Sequence, residues 1–326
     1  MKRRQVLRGI AGSFLALLFT SGSSAQSSGK VTVIGLLDAG ERLEWWDAFK
    51  QQLRELGYVE GRNVRFEQRY ARGNLDLLPG LAKELVELKV AVIVTTGAAA
   101  AVAAQRVTRK IPIVMATGAD QVALGLAASL ARPGSNVTGV STLTPDLAAK
   151  RMELLREVVP KSTRVAALWH ADNAPSGASV RELEGSAAKA RVAFRSFGIR
   201  SADELTDAFV EMSRERIEAL IVLNSPLIYA ERRKIADLAL KHKIPAMYGA
   251  AEYAEAGGLL SYAPSYPEMF RHAAIYVDKV LKGANPADMP IEQPTTFDLV
   301  INANTARAIG VSIPATMLAR ANRVIQ

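Results

Sequence analysis

The chain has 326 residues, 49% hydrophobic and 22% charged, close to the globular average, so disorder, collagen and coiled coil are excluded. It has no Cys, which removes disulfides, Cys-held zinc, iron–sulfur clusters, Cys nucleophiles and a lipidated N-terminal Cys. The three His residues, His170, His242 and His272, have no metal-ligand spacing, and the net charge of +9 falls to +5 without residues 1–25, so a nucleic-acid footprint is poorly supported.

The first 25 residues have the three-part layout of an export signal. Residues 2–8 (KRRQVLR) are basic, residues 9–20 (GIAGSFLALLFT) are apolar, and residues 21–25 (SGSSA) are small, so cleavage is expected near Ala25–Gln26. Arg3–Arg4, followed by Val6 and Leu7, resembles a twin-arginine signal; an ordinary Sec signal with a chance arginine pair is the alternative. The apolar run is short of the ~20 residues that a membrane span needs. The mature chain is therefore expected to be soluble and periplasmic.

From residue 31 the pattern alternates between strand and helix. VTVIGLL (31–37) is a short β-branched run of the kind that forms a buried parallel strand. Leu43, Trp46, Phe49, Leu53 and Leu56 then recur at helical spacing before Gly57. Strand 64–69 precedes helix 75–88, strand 90–95 precedes an Ala-rich helix from Gly97, strand 111–116 precedes helix 121–131, and strand 137–141 closes this half. The second half runs through helix 145–157, strand 164–169, helix 178–191, strand 193–199, helix 203–215, strand 219–223 and helix 227–242. Strands 244–248 and 258–262, helix 266–282, a Pro-rich extended stretch at 286–300 and two short helices complete it. Repeated βαβ units predict an α/β protein of two doubly wound parallel-sheet lobes, and ligands of such sheets bind outside the carboxyl ends of the strands.

The chain lacks a G-x-S-x-G elbow, a G-x-x-x-x-G-K-[ST] loop, a G-x-G-x-x-G turn after a strand and an H-E-x-x-H pair, which makes the common hydrolase and nucleotide-dependent classes poor candidates. The candidates for ligand contact are the strand-end loops. Asp38 and Ala39 end the first strand. Thr96-Gly97-Ala98 and Thr117-Gly118-Ala119-Asp120 are each expected to open a helix, where backbone N–H groups face an anion; plain N-capping by Thr or Asp is the alternative. His170, Asp172 and Asn173 follow a strand of the second half, with His170 lining a cleft or lying in a polar loop. Trp45, adjacent to the buried stripe of its helix, is free to line a cleft. Tyr248 and Tyr262 fit either ligand contact or interlobe packing. Pro133-Gly134 and Asn136 are expected to shape a turn, and Gly257-Gly258 to serve backbone geometry at a crossing.

Several long segments carry a family resemblance in the expected order: LRELGYVEGRNVRFEQRYARGN (53–74), DQVALGLAASLARPGSNVTGVS (120–141), KRMELLREVVP (150–160), GGLLSYAPSY (257–266) and IYVDKVLKGANPADMPIEQPTTFDLVINANTARAIGVSIP (275–314). From about residue 31 to its end the chain resembles the exported substrate-binding proteins of bacterial ABC importers, in the subgroup with tryptophan- and tyrosine-binding members. The resemblance implies a type I periplasmic-binding fold with three interlobe crossings and no catalysis, and a monomer without cofactor or metal that has a membrane permease as partner is expected; a periplasmic ligand-sensing subunit for a signalling receptor, or a periplasmic enzyme, is the alternative. The expected lobes are 30–142 with 252–287, and 145–250 with 295–326. The expected ligand is an amino acid or a related carboxylate held by the two helix-start loops, with Thr142, Asn224 and Tyr248 on its remainder and Asp120 or Asp172 on any amino group. One departure stands out: Gln121 occupies a position where the family pattern usually has Pro.

Overall fold

The structure, a computed structural model, describes residues 31–118, 121–142 and 144–326. The expected export signal lies outside the described residues, as do Ala119 and Asp120. Among the described residues no helix is long and apolar enough to cross a membrane.

Five parallel strands form the first sheet: β1 (Thr32–Asp38), β2 (Val64–Tyr70), β3 (Val92–Thr96), β4 (Ile113–Thr117) and β5 (Val137–Gly139), in the order β2-β1-β3-β4-β5. β3 and β4 are buried at every position, as strands covered on both faces must be. Helices α1 (Leu43–Glu55), α2 (Leu78–Glu87) and α3 (Gly97–Val107) lie between the first four strands in the chain.

The second sheet has seven strands: β6 (Arg164–His170), β7 (Ala193–Ile199), β8 (Ala219–Val222), β9 (Ala246–Tyr248), β10 (Leu260–Ala263), β11 (Asp298–Asn302) and β12 (Arg323–Ile325). Their order is β12-β11-β10-β9-β8-β6-β7, and only the β10–β11 pair is antiparallel. Its helices are α4 (Thr144–Val158), α5 (Ala174–Ala190), α6 (Glu204–Arg214), α7 (Pro226–Ala230), α8 (Arg232–Lys241) and α9 (Ala251–Glu255). One further helix, α10 (Tyr266–Leu281), packs on α1 and against β3, β4 and β5 in the first lobe, while α11 (Ala303–Ile309) and α12 (Ala315–Arg320) return to the second.

The chain therefore passes between the lobes three times: after β5, between β10 and α10, and between residues 289 and 298. The first and third passages are tied together. Ser141 N–H donates to the Glu292 carbonyl (2.8 Å), Glu292 N–H to that of Gly139 (3.0 Å), and Ile291 N–H to that of Leu130 (2.7 Å).

Several expectations change. Residues 252–263, expected in the first lobe, belong to the second sheet, because β10 pairs with β9 and β11 and α9 packs on β10 and β11. Gly257-Gly258 consequently turns the chain from α9 into β10 and does not mark a crossing. Residues 121–131 form turns in place of a helix: the Gln121 carbonyl accepts from the N–H groups of Leu126 (2.9 Å) and Ala127 (3.3 Å), and Gly125 has φ +69°. The stretch 227–242 divides into α7 and α8, and the end of 286–300 becomes β11. The Asn136 side chain ties its turn to the loop between α3 and β4, its amide donating to the carbonyls of Thr108 (3.2 Å) and Ile111 (2.8 Å).

Gly139 closes β5 against β4 at a contact with no room for a side chain. A Cβ there would lie 2.2 Å from the Met115 carbonyl oxygen, and the residue sits at φ +125°. Gly139→Ala is expected to destabilise the protein by roughly 2–4 kcal/mol. Gly185→Ala, in the middle of α5 with nothing within 4 Å of the added methyl, should instead stabilise by about 0.5–1 kcal/mol. Denaturant unfolding of the two variants checks both signs.

Candidate functional site

Each sheet reverses its strand order once, and neighbouring chain ends diverge there. In the first sheet the reversal lies between β1 and β3, where Asp38 and Thr96 stand side by side at the carboxyl ends. In the second it lies between β6 and β8, whose following loops begin at Ala171 and Leu223. Open α/β sheets bind ligands at such points, and here both face one cavity of about 100 Å³. Arg42, Trp45, Gly97, Ala98, Thr117, Gly118 and Thr142 line it from one side; Leu147, Arg151, Asn173, Ser176, Ser179, Asn224 and Ser225 line it from the other. Tyr266, the first residue of α10, completes the wall.

The first wall is organised by the buried Asp38 carboxylate. It accepts from Gly40 N–H (2.7 Å), Arg42 N–H (3.3 Å), Trp46 Nε1 (2.9 Å), the Arg42 guanidinium and the Thr96 hydroxyl. Arg42 Nη1 also donates to Thr96 Oγ1 (3.1 Å). This settles the use of Thr96. Its side chain makes no capping bond to α3; it turns away to Asp38. The first-turn N–H groups of α3 thus receive no capping bond from Thr96, and the helix presents its positive end to the cavity. Gly97 has φ +75°, and a Cβ there would meet open space. Thr117 reinforces the same loop by accepting from Gly97 N–H (3.2 Å), and Thr142 donates its hydroxyl to the Gly118 carbonyl (2.6 Å). The second expected helix start does not form, because residues 121–131 are turns.

An aromatic wall spans the lobes. Trp45 stacks on Tyr266 (centroids 4.3 Å apart, planes at 11°) and tilts against Tyr229 (4.7 Å). Its Nε1 donates to Glu252 Oε1 (2.5 Å) across the lobes, and Tyr229 Oη donates to Glu44 Oε1 (2.5 Å). Burial pushes the Glu252 carboxyl above its ordinary range, opposed by the Trp45 N–H. Asn224 is fixed at both ends: its amide donates to Tyr266 Oη (3.1 Å), and its carbonyl accepts from Tyr253 Oη (3.3 Å).

Arg151 reaches the cavity from α4. It is 3% exposed, and its Nε donates to the Tyr262 carbonyl (2.7 Å). Burial lowers its pKa from the ordinary arginine value, against the raising influence of Tyr266, Tyr253 and Tyr262. Among the described residues no carboxylate pairs with it.

The structure thus gathers Trp45, Gly97, Ala98, Thr117, Gly118, Thr142, Asn173 and Asn224 around the cavity. It places the other expected residues that it describes elsewhere. Asp38 and Thr96 lie beneath the wall as its support, and Ala39 is in the core of the first lobe. His170 is buried at the end of β6, where burial lowers its pKa against the influence of Asp172. Asp172 is exposed and pairs with Arg200 (3.3 Å). Tyr248 is buried, stacked on Tyr253 (5.0 Å). Tyr262 packs on Phe297 and reaches the site only through its carbonyl. Gln121 is buried, its amide donating to the Val140 carbonyl (3.4 Å). Sequence reasoning missed Arg42, Leu147, Arg151, Ser176, Ser179, Ser225 and Tyr266. Leu147/Arg151 and Ser176/Ser179 have the four- and three-residue spacings of one helix face, the signal that could have found them.

A family model described as ABC transporter substrate binding protein matches residues 30–325. The chain belongs to this family. A tyrosine-binding protein from Clostridioides difficile (strain R20291) is 26% identical over 262 residues, covering 80% of this chain and 75% of that protein. Among solved structures, the ABC domain in complex with L-Trp from Streptococcus pneumonia is 26% identical, with a TM-score of 0.84 over 91% of this chain and 100% of that one. A conserved domain protein from Vibrio cholerae is 27% identical, with a TM-score of 0.84 over 90% of this chain and 100% of that one. In this substrate-binding protein the family's two-lobed frame therefore carries the cavity at the meeting of its two strand-order reversals.

Asp38 is the residue on which the first wall depends. Asp38→Asn is expected to cost about 3–5 kcal/mol, because the Arg42 guanidinium loses its buried counter-charge. Glu153→Ala, which removes an exposed ion pair with Lys150 (2.8 Å), should cost no more than about 1 kcal/mol. Urea unfolding followed by circular dichroism distinguishes the two.

Proposed function

We propose that this protein is the exported receptor of an ABC importer and that its interlobe cavity holds a small organic solute, an amino acid or a related carboxylate. The observation that carries this reading is the convergence of both sheet reversals on one cavity walled by both lobes. The start of α3, which Thr96 does not cap, supplies backbone donors to an anion, the hydroxyls and amides of the walls supply orientation, and Trp45 and Tyr266 place aromatic rings in the wall. These rings agree with the aromatic ligands named for the tyrosine-binding and L-Trp-bound relatives.

The proposed cycle is one of hinge closure. In an open form the lobes separate about the three passages, and the contacts of Trp45 and Glu44 with Glu252 and Tyr229 are broken. A solute that touches both walls favours the closed form by the difference in its affinity for the two. The closed form then docks on a membrane permease. The basic, apolar and small-residue order of residues 2–25 supports export, with the mature chain beginning near Gln26.

Native purification followed by mass spectrometry of the released solute identifies the ligand, and a thermal-shift screen including L-tryptophan and L-tyrosine checks it. A solute at 100 times its Kd should stabilise the protein by about 2.7 kcal/mol. Ala98 stands in the first turn of α3 on the cavity wall, so Ala98→Leu should lower affinity at least about 100-fold while the protein stays folded, because the larger side chain takes the solute's place. Isothermal titration with parallel melting curves reads both. Wild-type affinity in Ala98→Leu would remove this loop from the site, and Met1 as the N-terminus of the secreted protein would overturn export by cleavage.

A further inference from the structure

Two guanidinium groups line the cavity, and their electrostatic situations differ. Arg42, in the first lobe, is held by the buried Asp38 carboxylate and is neutralised before any solute arrives. Arg151, in the second, is 3% exposed and has no acidic partner among the described residues. Among the described residues its one hydrogen bond runs from Nε to the Tyr262 carbonyl, which fixes the plane of the guanidinium and leaves both Nη groups without a partner there. Asn224 and Tyr266 stand beside it on the same wall, already bonded to each other. Asp172, the acid of the second lobe expected to take part, is turned outward to Arg200.

A buried cation with two unused donors in fixed geometry is matched by a planar anion that accepts two parallel hydrogen bonds. We infer that Arg151 is the specificity-determining residue of the cavity: it binds the carboxylate of the solute bidentately from the second lobe, and so selects carboxylates over the corresponding amines. This rests on the reading of the cavity as a solute site and assigns the carboxylate chiefly to a residue of α4, where the sequence had pointed to the loops of the first lobe. The start of α3, on the facing wall, then contributes its positive end to the same anion. A carboxylate held by Arg151 meets the positive end of α3 only when the lobes are together, which couples that second attraction to closure.

The test uses the mature protein freed of co-purified solute by unfolding and refolding. Wild type, Arg151→Gln, Arg151→Met and Arg151→Lys are screened by thermal shift against the twenty L-amino acids, short mono- and dicarboxylates, tryptamine, tyramine, phosphate and sulfate, and hits are titrated calorimetrically. The expected result is that wild type binds at least one carboxylate and that Arg151→Gln and Arg151→Met weaken it at least 100-fold. Arg151→Lys should recover part of the loss, and the ligand-free Gln and Met variants should melt no lower than wild type. Tryptamine and tyramine should bind wild type and Arg151→Gln equally weakly. Carboxylate binding by Arg151→Gln or Arg151→Met at wild-type affinity overturns the assignment and leaves the receptor reading standing. Melting that falls in both variants while affinity holds overturns it in favour of a structural role through Tyr262. Wild type that responds to phosphate or sulfate alone overturns the carboxylate specificity, and wild type that binds nothing on the panel overturns the receptor reading along with it.

Discussion

The Asp38 carboxylate is the point from which the first wall is built. It ends β1, and it draws in four pieces of chain: the turn at Gly40, the approach to α1 through Arg42, the first turn of that helix through Trp46, and the end of β3 through Thr96. Each donor group would be costly to bury without a partner, and one carboxylate serves all of them. The position of Trp45 follows from this, because its neighbour Trp46 is fixed from below. The same bond that takes Thr96 away from α3 leaves the helix start without a cap from that residue. A residue that touches no part of the cavity thus sets both the aromatic surface and the anion-facing helix end.

The alternation of apolar strands and amphipathic helices made the two-lobed α/β architecture legible from the sequence, because buried parallel strands are nearly all apolar and their helices bury one stripe. The order of the elements survived in detail where that signal was strong, as in VTVIGLL and VAVIVT. It failed where local geometry overrode composition. DQVALGLAASL reads as helical, but Gly125 adopts φ +69° and the Gln121 carbonyl closes a turn. The second crossing was misplaced because helix α9 and strand β10 give no sign in sequence of which sheet they join. Pairing partners decide that, and pairing is a long-range property.

The site was half legible for a related reason. Small and hydroxyl residues after a strand mark a loop that can approach a ligand, and Gly97, Ala98, Thr117, Gly118 and Thr142 were found that way. Arg42 and Arg151 were not, because a basic residue near a helix ordinarily signals solvent. What separates Arg151 from Lys150, its exposed neighbour, is one step around a helix whose inward face is visible only once Leu147 and Leu155 are seen packed. Tyr248 and Tyr262 show the opposite error. Tyr248 ends β9 and Tyr262 lies one residue from the end of β10, yet the Tyr248 ring is spent on Tyr253 and the Tyr262 ring on Phe297.

The pairing of the first and third passages reduces three connections to two. Glu292 is bonded to Gly139 and Ser141 as a short ribbon, while the chain at Pro264–Ser265 crosses separately. Two points of attachment define a line. Twisting one lobe on the other would shear the ribbon and break its hydrogen bonds, whereas swinging about that line leaves them intact. For the proposed closure such a frame would act as a door on two pins, with one degree of freedom. Shortening or lengthening either pin would tilt the axis and misalign the two halves of the cavity without altering any residue that lines it.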